Sequence, residues 1–398
     1  MRIAYIFTTF PKLSERFFLR EVVELRLQGL EFDLYSIIGG ADESEAGPVT
    51  RMRWTDWLIV WAELLYWLFA KPKVVFRFLG RLNPFVYRSA INWAENALGL
   101  AFAIRFARRF RGIGYRFGHG TWATAPGMTV WALEGLIGLA YTLEAHAYDV
   151  WRDGGDAFLD TKLIGAKHLR SSTDATAKEM ERRMALRGSA RSVVCVRRGL
   201  ESIPSFRVVE PSSTGVLKVL SVGRLIEKKG YSDQLEIFAV WRRRGVRFEA
   251  KIIGEGPLMG RLRAKAAELD LGDLVEFCGR LEHEAVDRAY CDADLFLFCG
   301  QVSESGDRDG FPNVIGEAMS HSVVVFSSDV SGTTEGVVNM LTGYIIEPGD
   351  CEQAAMQIYF RMQSEVNLGR VRVAAYDWIC REFSIQRNAA KLRRSLWL

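Results

Sequence analysis

Asp309 and Glu317 bracket the stretch RDGFPNVIGEAM, Arg308 to Met319. The first acid reads as part of a loop. The second falls about one turn into a helix, in otherwise apolar surroundings. Carboxylates are good acceptors for vicinal hydroxyls, so this spacing suits two hydroxyl-rich rings joined by a diphosphate. Gly310 lets the backbone approach a ligand closely, Phe311 follows it, and Pro312 fixes the turn. The amides from Asn313 onward can meet negative charge at the helix start. A diphosphate between the rings needs cations, and SVGRLIEKKGY offers Arg224 and Lys229, five apart, ahead of Gly230 and the next helix. A solvated basic turn is the plain alternative for that loop. A favourable acid near a helix N-terminus accounts for Asp309 but not for Glu317.

The first half of the chain has candidates of its own. EAHAYDV places His146 and Asp149 at a strand's carboxyl end, where a histidine could polarise a hydroxyl, stack on a ring or cap a turn. HGTWAT presents His119 and Trp122 at the end of the preceding strand. IIGEGPLMG has the spacing G-x-G-x-x-x-G after a strand, but it lies deep in the chain and Pro257 removes a backbone donor. It reads as a tight strand-to-helix turn, not a nicotinamide site. No His, Cys and carboxylate set has metal-ligand spacing, and no G-x-S-x-G elbow occurs.

Positioning these loops requires strands. RIAYIF, EFDLYSI, RFGHG, LAYTLEAH, KHLRSS and RSVVCV alternate with helical runs in the first half, and residues 41–50 form a polar break. VLKVLSVG, FEAKIIG, LVEFCG, DLFLFC, SVVVFSS and TGYIIEP do the same in the second. Strands alternating with helices of this length predict parallel sheets covered on both faces. A break near 200–214 divides the pattern into two doubly wound Rossmann-like domains facing a cleft. The expected division is 1–205 for an acceptor domain, 206–375 for a donor domain, and 376–398 for a C-terminal helix crossing back to the first. In open α/β sheets ligands sit outside the carboxyl ends of the strands, which favours the loops 8–15, 119–122, 145–150, 223–230, 254–257, 279–282 and 299–313.

Composition sets the frame. The chain has 398 residues, 49% hydrophobic and 25% charged, with a net charge of +4. That excludes a disordered chain and gives no case for nucleic acid as a partner. Cys195, Cys278, Cys291, Cys299, Cys351 and Cys380 form no C-x-x-C pair and are expected as reduced core residues in a cytoplasmic protein. The N-terminus reads as a first strand and not as a signal peptide. WLIVWAELLYWLFA, Trp57 to Ala70, is fourteen residues long and interrupted by Glu63. A span needs about twenty apolar residues, so this segment is expected buried in protein or sunk into an interface. Basic residues crowd 51–53, 71–81 and 105–116, including Arg105, Arg108, Arg109 and Arg111. Together they predict docking on an anionic membrane, with an internal helix packed on the sheet as the alternative.

With these stretches in view, the sequence resembles the retaining glycosyltransferases of family 4, which have the GT-B fold. The resemblance runs from YIFTTFPKLSERFFLREVVELRLQGLEFDLYSI through HGTWAT, EAHAYDVWRDGGD, VGRLIEKKG and IGEGPL to DGFPNVIGEAMSHSVVVFSSDVSGTTE. It is similar to the branch that builds bacterial exopolysaccharide, of colanic-acid type. The resemblance implies transfer of a hexose from a UDP or GDP sugar, without a metal or other cofactor. Asp309 and Glu317 fill the two acidic positions of an E-x7-E motif, toward sugar and ribose. Arg224 and Lys229 match the diphosphate pair, residues 310–313 the amide loop, and His146 the histidine near the transferred sugar. The loop at Arg280 and Leu281 is expected beside the base. His119, Trp122, Asp149, Ser14 and Glu15 are acceptor-side candidates. A glycan or polyprenyl-diphosphate-linked saccharide would be the acceptor, at the cytoplasmic face of the inner membrane. The chain departs from the pattern in several places. Asp309 stands for Glu, with Glu304 a nearby rival, His321 and Ser322 replace small residues, and TTFPKLSERF lacks a Gly-Gly. A nucleotide-sugar epimerase of the same architecture, or a non-catalytic nucleotide-sugar binder, would share many of these features.

Overall fold

The computed structural model describes residues 2–12, 15–41, 45–200, 202–209, 215–330 and 332–397. The chain forms two compact units, Met1–Gly199 with Ile385–Leu398, and Leu200–Ser384.

In the first unit seven strands form one sheet: β1 Ile3–Phe7, β2 Phe32–Ser36, β3 Val49–Arg51, β4 Phe117–Gly120, β5 Tyr141–Glu144, β6 His168–Ser171 and β7 Val194–Cys195. Their order is β3-β2-β1-β4-β5-β6-β7, and every pairing is parallel. Strand β1 shows why both faces are covered. Ile3, Tyr5 and Phe7 point into one core cluster, and Ala4 and Ile6 into the other, all of them fully or almost fully buried. A strand buried on both sides reads as a continuous apolar run, which is the parallel-sheet pattern.

The second unit has six strands, β8 Leu217–Val222, β9 Phe248–Ile253, β10 Val275–Gly279, β11 Leu295–Phe298, β12 Val324–Ser328 and β13 Tyr344–Ile346. Their order is β10-β9-β8-β11-β12-β13, again parallel throughout. In β11, Leu295 and Leu297 face one cluster while Phe296 and Phe298 face the other. Each sheet reverses its winding beside its first strand, so each has a switch point, at β1/β4 and at β8/β11. Loops leaving a switch point diverge and open a crevice between them.

Several expectations change. The polar break at 41–50 contains the start of β3, whose three residues are too few for a periodic signal. Two short helices, Ala147–Trp151 and Leu159–Gly165, follow β5. The segment 376–398 is not one helix. Helix Glu365–Glu382 belongs to the second unit, and helix Ile385–Leu396 to the first. There Gln28 Nε2 donates to Gln386 O at 2.9 Å and Arg393 Nη1 to Gln28 O at 2.8 Å. Of the cysteines only Cys299 is buried, and Cys291 is exposed, so the expectation of six core thiols is corrected.

Candidate functional site

The switch point of the second sheet gathers the charged residues of its loops. After β8 the chain makes a tight turn, Glu227–Lys229, and enters helix Tyr231–Arg243 through Gly230. Gly230 has φ +66°, and a Cβ there would collide with the carbonyl of Cys299 just beyond β11. The close approach of the two loops therefore depends on a residue without a side chain. It brings Lys229 Nζ to 2.7 Å from Asp309 Oδ2. Lys228 Nζ lies 3.5 Å from the other oxygen of Asp309 and 3.0 Å from Asp307. Burial pushes the Asp309 carboxyl up, but Lys229 and Lys228 outweigh it and leave it below its ordinary value. It is a charged acid flanked by two cations.

Asp309 sits where the sequence placed it, on the loop before helix Asn313–Ser320. Pro312 is buried at the position just before that helix. Phe311 turns inward against Trp378 and Phe383, each ring 5.3 Å away. A Cβ at Gly332 would stand 3.0 Å from the Gly310 carbonyl, so the loop after β12 packs directly on this one. Glu317 is half-buried and accepts from the Tyr290 hydroxyl at 3.2 Å. Burial and Glu317 together push the Tyr290 phenol well up, so it keeps its proton as a donor. Arg224 is exposed on the loop after β8; the cations that reach Asp309 are Lys229 and Lys228. Arg280 and Leu281 are exposed on the loop after β10. Glu304, the rival acid, is exposed, and its backbone N–H bonds Glu227 at 3.1 Å. Lys228, Asp307 and Tyr290 were missed in the sequence. The doubled lysine in EKKG was the available signal for the first, whereas Tyr290 comes from another helix and left none.

The first unit holds a separate buried network. Glu144, at the end of β5, is fully buried. It takes Arg170 Nη1 at 2.5 Å and also pairs with Arg198. His119 Nε2 is 3.1 Å and His146 Nε2 3.3 Å from its two oxygens. Glu21 closes the network, with Arg170 at 2.6 Å and Arg198 at 2.7 Å. Burial opposes the charge on Glu144, but the two arginines hold it well below the ordinary carboxylate range. Burial likewise keeps the His146 imidazole below its ordinary value, against the pull of Glu144.

His146 precedes helix Ala147–Trp151, with Nδ1 3.2 Å from Ser172 Oγ and Nε2 3.2 Å from Arg198 Nη2. Its ring meets Trp122 edge-on at 4.7 Å. Three of the acceptor-side candidates are engaged within the fold. His119 is not on an open loop: it lies within β4, fully buried, with its other nitrogen 2.7 Å from Thr142 Oγ1. Asp149 is buried as a structural cap, accepting from the backbone N–H groups of Ala123, Thr124 and His146. Glu15 forms a surface pair with Lys12 at 2.6 Å. Ser14 lies outside the described residues. Glu144, Arg170, Arg198 and Glu21 were missed, although a carboxylate inside the apolar strand YTLE was a visible oddity. Among the described residues no group of three His, Cys, Asp or Glu side chains is placed to hold a metal.

Comparison with known proteins shows what the chain is similar to. Residues 202–375 match the family described as "Glycosyl transferases group 1". AmsK of Erwinia amylovora, an amylovoran biosynthesis glycosyltransferase, is 33% identical over 168 residues, 42% of this chain and 41% of that protein. WcaL of Escherichia coli (strain K12), named for colanic acid biosynthesis, is 31% identical over 184 residues, 45% of each chain. The chain thus matches less than half the length of these curated relatives. Among solved structures, HepE from Anabaena in complex with UDP and glucose superposes with a TM-score of 0.70 at 15% identity, covering 100% of this chain and 99% of that one. The protein has the GT-B fold, and its residues 202–375 match the glycosyl transferases group 1 family.

Proposed function

We propose that the chain transfers a hexose from a UDP or GDP sugar to a glycan or polyprenyl-diphosphate-linked saccharide in exopolysaccharide synthesis, with retention at the anomeric carbon. The observation that carries this reading is Asp309 held between Lys229 and Lys228 at the β8/β11 switch point, inside the group 1 domain. In this reading Lys229 and Arg224 bind the diphosphate, helped by the amides at the start of helix Asn313–Ser320. Asp309 accepts from hydroxyls of the sugar, and Glu317, steadied by Tyr290, from those of the ribose. His146, neutral and engaged through both ring nitrogens, orients and does not shuttle a proton.

The sequence offers no carboxylate clearly placed for attack from the opposite face, so the proposed course is a front-face displacement. The bond from the anomeric carbon to the diphosphate oxygen breaks. The bond to the acceptor oxygen forms on the same face, and the acceptor's proton passes to the departing phosphate oxygen. The cations and helix amides offset the phosphate charge, so no metal is invoked. The test is incubation with UDP- and GDP-hexoses and a lipid-linked saccharide, with the anomeric configuration of the product read by NMR. A product with the donor's configuration supports the reading. An inverted product, or a glycosyl group trapped covalently on a side chain, contradicts it.

A further inference from the structure

Helix Asp56–Ala70 is built inside out. It buries only Asp56, Val60 and Trp67, while Leu58 is 72% exposed, Trp61 68% and Phe69 87%. Trp57 and Leu65 lie on the same exposed side. The following helix, Pro72–Arg81, adds Phe76 at 65%, and Phe85 beyond it is 96% exposed. Charge runs the opposite way. Asp56 and Glu63, the only acids between residues 51 and 93, face the protein. Arg105 Nε reaches Asp56 at 2.7 Å, and Arg108 Nη1 reaches Glu63 at 3.3 Å. Arg111 lies over the buried Trp67 ring at 5.1 Å. These three arginines brace the helix, Arg105 mostly covered and Arg108 and Arg111 still exposed, so the basic run 105–112 serves at least in part to hold it. Arg53, Lys71 and Lys73 are exposed cations flanking the aromatic helix.

We propose that this face docks on an anionic lipid bilayer, with helix Asp56–Ala70 lying along the headgroup boundary. A soluble monomer rarely exposes so many adjoining large apolar side chains. Tryptophan and phenylalanine with flanking Lys and Arg are the composition that enters such a boundary. Among the described residues no helix is long and apolar enough to cross a membrane, so this segment lies on the bilayer. A second copy of the chain fits less well. A two-fold pairing sets the same patch against itself and would bring Lys71 and Lys73 toward their own like charges. The proposal is independent of the transferase reading, since it concerns surface side chains to which that reading gives no role.

The experiment is flotation of the full chain with vesicles of phosphatidylcholine alone and of equal parts phosphatidylcholine and phosphatidylglycerol, across a sodium chloride series. The protein is expected to float with the anionic vesicles and to be released as salt rises. Lys71→Ser with Lys73→Ser should weaken anionic binding by roughly 25-fold, from about 1 kcal/mol per basic residue. Trp57→Ser, Trp61→Ser and Phe69→Ser together should abolish flotation with the anionic vesicles, with melting temperature as the folding control. The single Phe69→Ser, at the most exposed of these positions, serves if the triple variant unfolds and should weaken binding at least about threefold. Three outcomes would overturn the proposal: absence of flotation by the wild type, flotation indifferent to lipid charge, or a concentration-dependent dimer without flotation that the same apolar substitutions dissolve.

Discussion

Lys229 Nζ stands 2.7 Å from Asp309 Oδ2, joining the loops after β8 and β11 across the switch point of the second sheet. The two residues have different expected tasks, so their substitutions should separate. Asp309→Asn leaves the cations in place and should lower turnover at least about tenfold while UDP or GDP affinity holds or rises, because it removes a competing anion. Lys229→Ala should act on affinity. Steady-state kinetics beside direct nucleotide binding checks this, and equal effects of both variants on both quantities would argue against the division of labour.

Glu317 and Tyr290 form the second pair. Glu317→Gln keeps the shape and removes the charge, so nucleoside diphosphate binding should weaken by about 1.5–3 kcal/mol for a lost charge-assisted bond. Tyr290→Phe removes a donor shared between Glu317 and the Val314 carbonyl, each at 3.2 Å, and should cost roughly 0.5–1.5 kcal/mol of the same affinity. Calorimetric titration of both variants measures it. A Tyr290→Phe effect larger than that of Glu317→Gln would mean the tyrosine acts through something other than the carboxylate.

Gly230 and Gly279 share φ +66°, but only the first has a neighbour where a Cβ would go. Each change to Ala pays the left-handed penalty of about 1–2 kcal/mol, whereas Gly230→Ala must also displace the Cys299 carbonyl. Its melting temperature should fall clearly further than that of Gly279→Ala, by about 2–4 °C per additional kcal/mol for a unit of this size. Equal losses would show that the two loops can separate without cost.

The buried network of the first unit predicts a pH dependence. Glu21, Glu144 and His146 all lie below their ordinary values in the fold. A depressed group contributes stability fully above its unfolded value, 4.5 for the glutamates and 6.5 for the histidine, and loses it as pH falls through the folded value. Urea unfolding from neutral to acid pH should therefore show falling stability. Glu144→Gln should be less stable at neutral pH by about 3–5 kcal/mol, since it strands buried arginines, and should show a shallower acid slope. An unchanged slope would remove Glu144 from the account.

Much of this architecture was legible because parallel strands are buried on both faces and leave unbroken apolar runs, as in VLKVLSVG and SVVVFSS. The loops worth watching followed from the strand ends, and Asp309 and Lys229 do meet there. What escaped depends on tertiary placement. Val49–Arg51 is too short to show a period. His119 stood in an apolar strand, and its burial is satisfied by Thr142 and Glu144 from the neighbouring strand, which no local spacing reveals. Arg105 and Arg108 read as a surface charge run until their partners on helix Asp56–Ala70 were seen. The break after Ser384 follows from where helix Ile385–Leu396 finds apolar partners, not from a breaker residue in the sequence.

The most direct test of the central claim, that the β8/β11 switch point binds a nucleoside diphosphate, is calorimetric titration of wild type, Arg224→Ala and Lys229→Ala. The ligands are UDP, GDP, uridine and guanosine. The account predicts that UDP or GDP binds the wild type. Each substitution should weaken that binding at least about tenfold, as the loss of a charge-assisted contact requires, while leaving the matching nucleoside unchanged. Failure of both diphosphates to bind the wild type, or equal weakening of diphosphate and nucleoside, would contradict it.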